Sequence, residues 1–402
     1  MRIDDDIPFK LEDITPDWLT RALQSSGLIA SNKVISIDAQ IIGEETGFLG
    51  LVARLIPEYA APETDGPTSL ILKMPTPLKN RILGQSLGVY EKEIRFYRDL
   101  QSRLNVDTPR HYFSALNAFD DPQVVLRRLT WINWLPLPLV ALVALAMTAW
   151  IGLFPRRYVL LIENLGDHRM GDQYEGCSQE DVRRVLTAMA DLHAQFWDSE
   201  TLDQLSWIVP IEMTAKLAQL SYLQSVERYK AAFRHQLSAR RMALLDWLKT
   251  HGIALTEAQG SASRTLLHGD FRLDNLCFDD EQQRILILDW QTMTTGSAGV
   301  DLAYFLSAAL PLSASESDIE DLLTHYQHAL AQRGVNVSHP RLKWQYDMGM
   351  LSMLHRVAPV MFQEQLDIGH ARGPALIQDW VDKTFKKLDH VNFETILEDA
   401  PD

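Results

Sequence analysis

His268-Gly269-Asp270-Phe271-Arg272-Leu273-Asp274-Asn275, followed by Asp289-Trp290, is the stretch that decides how this chain is read. Leu266-Leu267 runs into it as a short apolar segment, Asp270 falls on the loop that follows, and Asn275 stands at the far end of that loop. Leu276-Cys277-Phe278 resumes an apolar strand, Asp279-Asp280-Glu281-Gln282 is a polar turn, and Ile285-Leu286-Ile287-Leu288 is a second strand. Two apolar runs around a polar turn predict a hairpin. Its return brings Asp289 back towards Asn275. A carboxamide and a carboxylate from separate segments offer hard oxygen ligands suited to magnesium, which keeps several waters and takes few protein ligands. Asp270 then remains to orient an attacking hydroxyl, the division of labour that phosphoryl transfer requires. Any one of these residues alone reads as a turn former or helix cap; the joint spacing carries the signal.

The segment resembles the Brenner motif of the aminoglycoside phosphotransferase and choline kinase group. Within that group the chain most resembles the ecdysteroid kinase-like branch and its bacterial relatives. The wording Phe271-Arg272-Leu273-Asp274-Asn275 also resembles the phosphotransferase domains attached to some acyl-CoA dehydrogenases. The resemblance covers about residues 12 to 390. It implies an α+β, two-lobed protein kinase-like fold, with a small β-rich N-terminal lobe over 1–165 and a larger helical C-terminal lobe over 166–402. It implies ATP and Mg2+ as cofactors and a small-molecule alcohol as acceptor: an apolar or sterol-like alcohol first, an aminoglycoside or choline-like amino alcohol as the alternative. By position in the motif, Asp270 is the catalytic base, Asn275 and Asp289 are the magnesium ligands, and His268 and Asp301 brace the catalytic loop. A kinase-like protein that binds without turnover is the rival class, and the intact Lys73, Asp270, Asn275 and Asp289 argue against it.

Upstream residues extend the reading. Thr15-Pro16 marks a helix start, a capping hydroxyl before a proline in the first turn. Val34 to Ile42 alternates as a half-buried strand does. Gly43 to Gly50 then forms a glycine-rich turn into a second strand, where Gly43, Thr46 and Gly47 would let backbone N–H groups approach phosphate. Lys73 lies inside the apolar strand Ser69–Pro75, where an unpaired lysine is costly. Its expected partners are nucleotide phosphates and Glu93, with Glu91 in reserve; Ile94 and Tyr97 share a helix face beyond Glu93. Tyr158–Leu165 reads as a buried strand entering a hinge, and the resemblance puts the adenine against backbone near Glu163 and Leu165. Ser178 is expected to cap the next helix with Asp181 as its box partner, and His193 to be a buried support. Asp301 is expected both to cap a helix and to brace the loop.

Composition sets limits. The chain has 402 residues, 46% of them hydrophobic, and a net charge of −15. That balance speaks against a nucleic-acid partner, which calls for a basic face. Two cysteines suggest no disulfide framework, and the acidic start lacks a secretory apolar core, so a cytoplasmic setting fits. One segment does not fit. Residues 131–154 carry no charge, with Arg127-Arg128 before and Arg156-Arg157 after. By length this is a membrane-span candidate, but a single crossing here would split the nucleotide site across a bilayer. Three readings stand: an interfacial hairpin broken at Pro136 and Pro138 giving peripheral membrane contact, a lid or dimer patch, or a wall over the acceptor site.

Overall fold

The computed structural model describes residues 6–42, 50–61, 66–75, 79–357, 373–398 and 400. The turn with Gly43, Thr46 and Gly47 lies outside the described residues. Helix α1 (Pro16–Ser25) opens as its sequence asks, the Thr15 hydroxyl accepting from the Trp18 amide at 3.2 Å. Strands β1 (Val34–Ile42), β2 (Gly50–Tyr59) and β3 (Leu70–Pro75) follow. Then come α2 (Lys79–Ser86) and α3 (Val89–Arg95), the latter continuing through a π turn over Phe96–Leu100. Strand β4 (His111–Leu116), helices α4 (Pro122–Trp134) and α5 (Leu137–Leu153), and β5 (Tyr158–Glu163) complete this part. The five strands form one antiparallel sheet in the order β1-β2-β3-β5-β4.

The two-residue period of a strand gives the sheet its two faces. Leu70, Leu72 and Met74 of β3 join Trp18 and Leu19 of α1 in one core, as do Val159 and Leu161 of β5. Ile71, Tyr158, Leu160 and Ile162 face the other way, onto Tyr90 and Ile94 of α3. Lys73, in register with Ile71, therefore points towards α3. At the sheet's edge β1 buries only Val34, and Ile41 and Ile42 are exposed. The half-buried strand expected there is an edge strand, because its alternating residues have no layer to cover them.

The rest is mostly helical. After β6 (Arg169–Met170) come α6 (Gln179–Phe196), the short α7 (Thr201–Gln204), α8 (Ala215–Ala232) and α9 (Ala239–Ser261). Strands β7 (Arg264–Leu267), β8 (Leu276–Asp279), β9 (Arg284–Ile287) and β10 (Thr294–Ser297) carry the motif. Helices α10 (Gly299–Ala309), α11 (Glu316–Gln332), α12 (His339–Ser352) and α13 (Gly373–Leu388) close the chain. A Cβ on Gly299 would stand 1.9 Å from the Gln345 carbonyl oxygen, so α10 and α12 approach at backbone contact and only glycine fits. Tyr90, Ile94 and Phe96 belong to the same apolar core as Leu266, Trp290 and Phe305. This is a two-lobed protein kinase-like fold: an antiparallel N-terminal sheet with its helix α3, set on a helical body that carries the motif loop.

Two expectations change. Ser178 caps α6, but Asp181 bonds to Arg169 and Arg184 rather than returning to the cap. Asp301 lies inside the first turn of α10, so it braces the loop without being its N-cap. The uncharged segment is interrupted where its prolines were expected to break it. It breaks at Leu135-Pro136 between α4 and α5, and among the described residues no helix is long and apolar enough to cross a membrane.

Candidate active site

Lys73 meets Glu93 at 2.5 Å and Asp289 at 3.1 Å. One carboxylate comes from α3, the other lies 216 residues away in sequence, after the motif hairpin. Burial works against the lysine's charge, but Asp289 and Glu93 together hold its pKa above the usual lysine value. Burial likewise pushes Glu93 up, opposed by Lys73, and the Tyr158 hydroxyl donates to Glu93 at 3.2 Å. The reserve partner, Glu91, is engaged elsewhere, with Arg95, Arg156 and the Asp120 amide. The expected Lys73–Glu93 pair is therefore present, and Asp289 is a partner that the sequence reading had assigned only to metal.

The hairpin forms as its pattern predicts, with Leu276 opposite Ile287 and Cys277 opposite Leu286. The Leu288 amide donates to the Asn275 carbonyl at 2.8 Å, which brings the two ends together. Asn275 donates through Nδ2 to the Asp270 backbone oxygen at 2.8 Å and to Asp270 Oδ2 at 2.9 Å. That fixes the amide's orientation and leaves its Oδ1 as an acceptor. Asp289 has φ +60°, in the left-handed region. Asp tolerates that conformation better than most residues, and such strain is held where surrounding structure over-determines it. Trp290 supplies this restraint: its ring stacks on Phe96 at 4.1 Å and 9°, and packs edge-on to His268.

The loop between is tied down at each residue. The His268 amide donates to Asp301 Oδ2 at 2.8 Å and the Gly269 amide to Asp301 Oδ1 at 2.9 Å. The His268 ring donates from Nε2 to the Leu288 carbonyl at 2.7 Å, so Nδ1 is left to accept from the Asp270 amide at 3.3 Å. Gly269 has φ +81°, and a Cβ there would meet the Thr292 oxygen at 2.5 Å. His193 is fully buried, bonded to Tyr326 at 2.7 Å and to Asp301 at 3.3 Å, a support as expected.

Two residues that the reading left without a role also reach Asp270. Arg272 contacts Asp270 at 3.4 Å and Asp274 at 2.6 Å, and Asp274 accepts from the Gln173 amide at 2.9 Å. Burial opposes the Arg272 charge, but Asp270 and then its other neighbours hold its pKa above the usual value. Tyr304 has its phenol pKa pushed up by burial and then by the Asp270 charge. Tyr304 stands three residues after Asp301, on one face of α10, a spacing that could have flagged it.

At the hinge, Glu163 is engaged with β4: its carboxylate accepts from the Arg110 amide at 3.0 Å. Leu165 packs with Cys277, Leu286 and Leu288 in a small apolar cluster. Lys92 of α3 and Arg356 face each other; among the described residues neither has a carboxylate partner, Arg356 donates to Thr214 at 3.2 Å and its Nη1 has no partner. Burial, and then Arg356, lowers Lys92 to about 8. A cavity of about 340 Å³ lined by Ile319, Tyr346 and Lys387 lies among α11 to α13 and shares no residue with this site. Among the described residues no three His, Cys, Asp or Glu side chains converge on a metal position. A magnesium ion that keeps its waters does not need three; Asn275 Oδ1 and the Asp289 carboxylate are the hard-oxygen pair available.

A buried lysine thus lies between a helix carboxylate and a second carboxylate, beside a braced Asp–Asn loop. Residues 151–337 match the ecdysteroid kinase-like family, as the motif's resemblance implied. Acyl-CoA dehydrogenase family member 10 of Mus musculus is 38% identical over 92 residues, covering 21% of this chain and 8% of that protein. Acyl-CoA dehydrogenase family member 11 of Pongo abelii is 30% identical over 139 residues, covering 31% of this chain and 16% of that protein. The chain thus spans only a small part of these curated relatives. Among solved structures, macrolide 2'-phosphotransferase type I aligns with TM-score 0.46 and 15% identity over 88% of this chain and 95% of that one. Choline kinase LicA from Streptococcus pneumoniae aligns with TM-score 0.44 and 12% identity over 91% and 97%.

Proposed function

We propose that this chain is an ATP- and Mg2+-dependent phosphotransferase acting on a hydroxyl of a small molecule. The observation that carries the proposal is the three-way contact of Lys73 with Glu93 and Asp289, which puts a fixed cation beside a carboxylate suited to metal. Lys73 would hold the nucleotide's α- and β-phosphates, and Glu93 would hold Lys73. Asn275 Oδ1 and the Asp289 carboxylate would hold Mg2+, which neutralises charge on the phosphates when bound. Asp270 would orient the acceptor hydroxyl and take its proton, while the transferred γ-phosphoryl leaves the nucleotide for that oxygen. Gly43, Thr46 and Gly47 would cover the phosphates, and backbone at Glu163 to Leu165, above the apolar cluster of Leu165, would receive the base. Such catalysis is mainly positioning and charge neutralisation, and the bracing of His268 to Asp270 supports it.

An apolar or sterol-like alcohol is our first acceptor class. The ecdysteroid kinase-like match and the exposed apolar helices α4 and α5 favour it. Lys92 and Arg356, which have no carboxylate partner among the described residues, disfavour a polycation such as an aminoglycoside on that side of α3.

The test is thermal unfolding with Mg-ATP, then ATP consumption against a panel of sterols, long-chain alcohols, choline and aminoglycosides. Asp270→Ala is expected to keep the Mg-ATP stabilisation and lose transfer. Full transfer in that variant, or no stabilisation of the wild type by Mg-ATP, sinks the proposal.

A further inference from the structure

Helices α4 and α5 present an apolar surface that nothing among the described residues covers. On their inner side Ile132 and Val140 are buried. The same side is fastened by polar clamps: Lys216 of α8 donates to the Leu135 carbonyl at 2.7 Å, Asn133 to the Met213 carbonyl at 3.1 Å, and Gln85 of α2 to the Phe154 carbonyl at 3.0 Å. The orphan carbonyls at the break and at the end of α5 are thereby satisfied from the protein side. The outer side is different. Leu142, Leu145, Trp150 and Leu153 stand out along α5, with Leu145 69% and Leu153 72% exposed, and Trp134 at the end of α4 is 84% exposed. Single exposed apolar residues are ordinary; a continuous run of them marks an interaction surface.

Two features decide what covers it. The first is polarity. The hydroxyls on the two helices are spent on their own backbones, Thr130 on the Leu126 carbonyl and Thr148 on the Ala144 carbonyl. The outer side of α5 thus offers little besides the Trp150 indole N–H for hydrogen bonding, whereas protein interfaces carry about one hydrogen bond per 100–200 Å². Hydrocarbon makes no such demand. The second is charge. In a chain with 53 acidic residues, 122–162 contains no Asp or Glu. Of its four arginines, Arg156 is turned inward onto Glu91 and Asp120, and Arg157 lies against Phe9. Arg127 and Arg128 are exposed, and Arg127, Trp131 and Trp134 follow the i, i+4, i+7 spacing of one helix face. Arginine and tryptophan beside an aliphatic surface is the composition of a helix lying in a membrane interface.

We propose that α4 and α5 seat this protein on the surface of a bilayer containing anionic lipid, α5 lying in the interface with its outer side in hydrocarbon and Arg127 and Arg128 among the headgroups. The clamped inner side keeps both ends of α5 on the protein, so the helix rests in one leaflet. This goes beyond the proposed phosphotransferase activity and does not depend on it.

Flotation of the full chain with phosphatidylcholine vesicles, with and without phosphatidylserine, tests the proposal. The wild type is expected to float with the serine-containing vesicles and to shift its tryptophan emission to the blue. Leu142→Glu/Leu145→Glu is expected to abolish flotation with an unchanged circular dichroism spectrum. Arg127→Ala/Arg128→Ala is expected to weaken partitioning roughly thirty-fold, at about 1 kcal/mol for each arginine near the surface, while Mg-ATP stabilisation stays as in the wild type. Two results overturn the proposal. One is a wild type that ignores both vesicle types and is a dimer by light scattering that Leu145→Glu dissociates, which would make a second copy the cover. The other is a monomer that ignores both vesicle types.

Discussion

Asp301→Asn replaces one oxygen of a fully buried carboxylate that holds the motif loop. In the wild type Oδ1 accepts from the Gly269 amide at 2.9 Å, and Oδ2 accepts from the His268 amide at 2.8 Å and faces His193 at 3.3 Å. An asparagine has one carbonyl oxygen, so it can serve one of the two backbone amides. The other then faces an NH2 group and is left buried without an acceptor. A hydrogen bond to a charged group contributes about 1.5–3 kcal/mol, and an orphaned buried donor costs about 1–3 kcal/mol. His193 can change tautomer towards Tyr326, so no further loss is assigned to it. The expected destabilisation is therefore about 2–4 kcal/mol. It falls on the two residues that precede Asp270, so turnover should drop while the Lys73–Glu93 pair, which shares no atom with Asp301, keeps its nucleotide affinity. Thermal unfolding with and without Mg-ATP reads the first effect and the nucleotide's binding; ATP consumption with the acceptor found in the panel reads the second. A variant that unfolds within about 0.5 kcal/mol of the wild type and turns over normally would refute the bracing role of Asp301.

Other outcomes follow from the same geometry. Lys73→Met should lose most of the Mg-ATP stabilisation, and Glu93→Gln only part of it, because Asp289 still holds the lysine; equal losses in thermal shift would contradict the three-way arrangement. Phe96→Ala removes a fully buried ring stacked on Trp290 and should cost about 3–5 kcal/mol, measurable as a fall in the denaturant midpoint. Lys92→Met should stabilise the protein at neutral pH. Its folded pKa, about 8, lies below the ordinary lysine value of 10.5, so between these the unfolded chain holds a proton that the folded one has released. Wild-type stability should therefore rise with pH across that window. The rise should be absent in Lys92→Met, and an unchanged slope in the variant would show that Lys92 is not its source.

Much of the site was legible because its information is local. Asp270, Asn275 and Asp289 are linked by a short loop and a hairpin, and hairpin register follows from the alternation of apolar residues about a polar turn. Strand periodicity set Lys73 on the face opposite Leu72 and Met74, and Thr15-Pro16 fixed the start of α1. The misreadings concern surroundings. Val34 to Ile42 alternates correctly but lies at an edge, and the strand's own residues do not say what covers it. Asp181 has the right spacing for a capping box, yet two arginines from outside that turn take its carboxylate.

The sequence by itself therefore determined which groups of the candidate site share a loop or a face, since residue types, spacing and strand period specify that. Tertiary structure alone decided that Asp289 also holds Lys73, that Arg272 and Tyr304 flank Asp270, and that Trp290 stacks on Phe96. These depend on which distant surfaces meet in one core, and a side chain's final partner is set by burial and by competing charges that no local pattern contains.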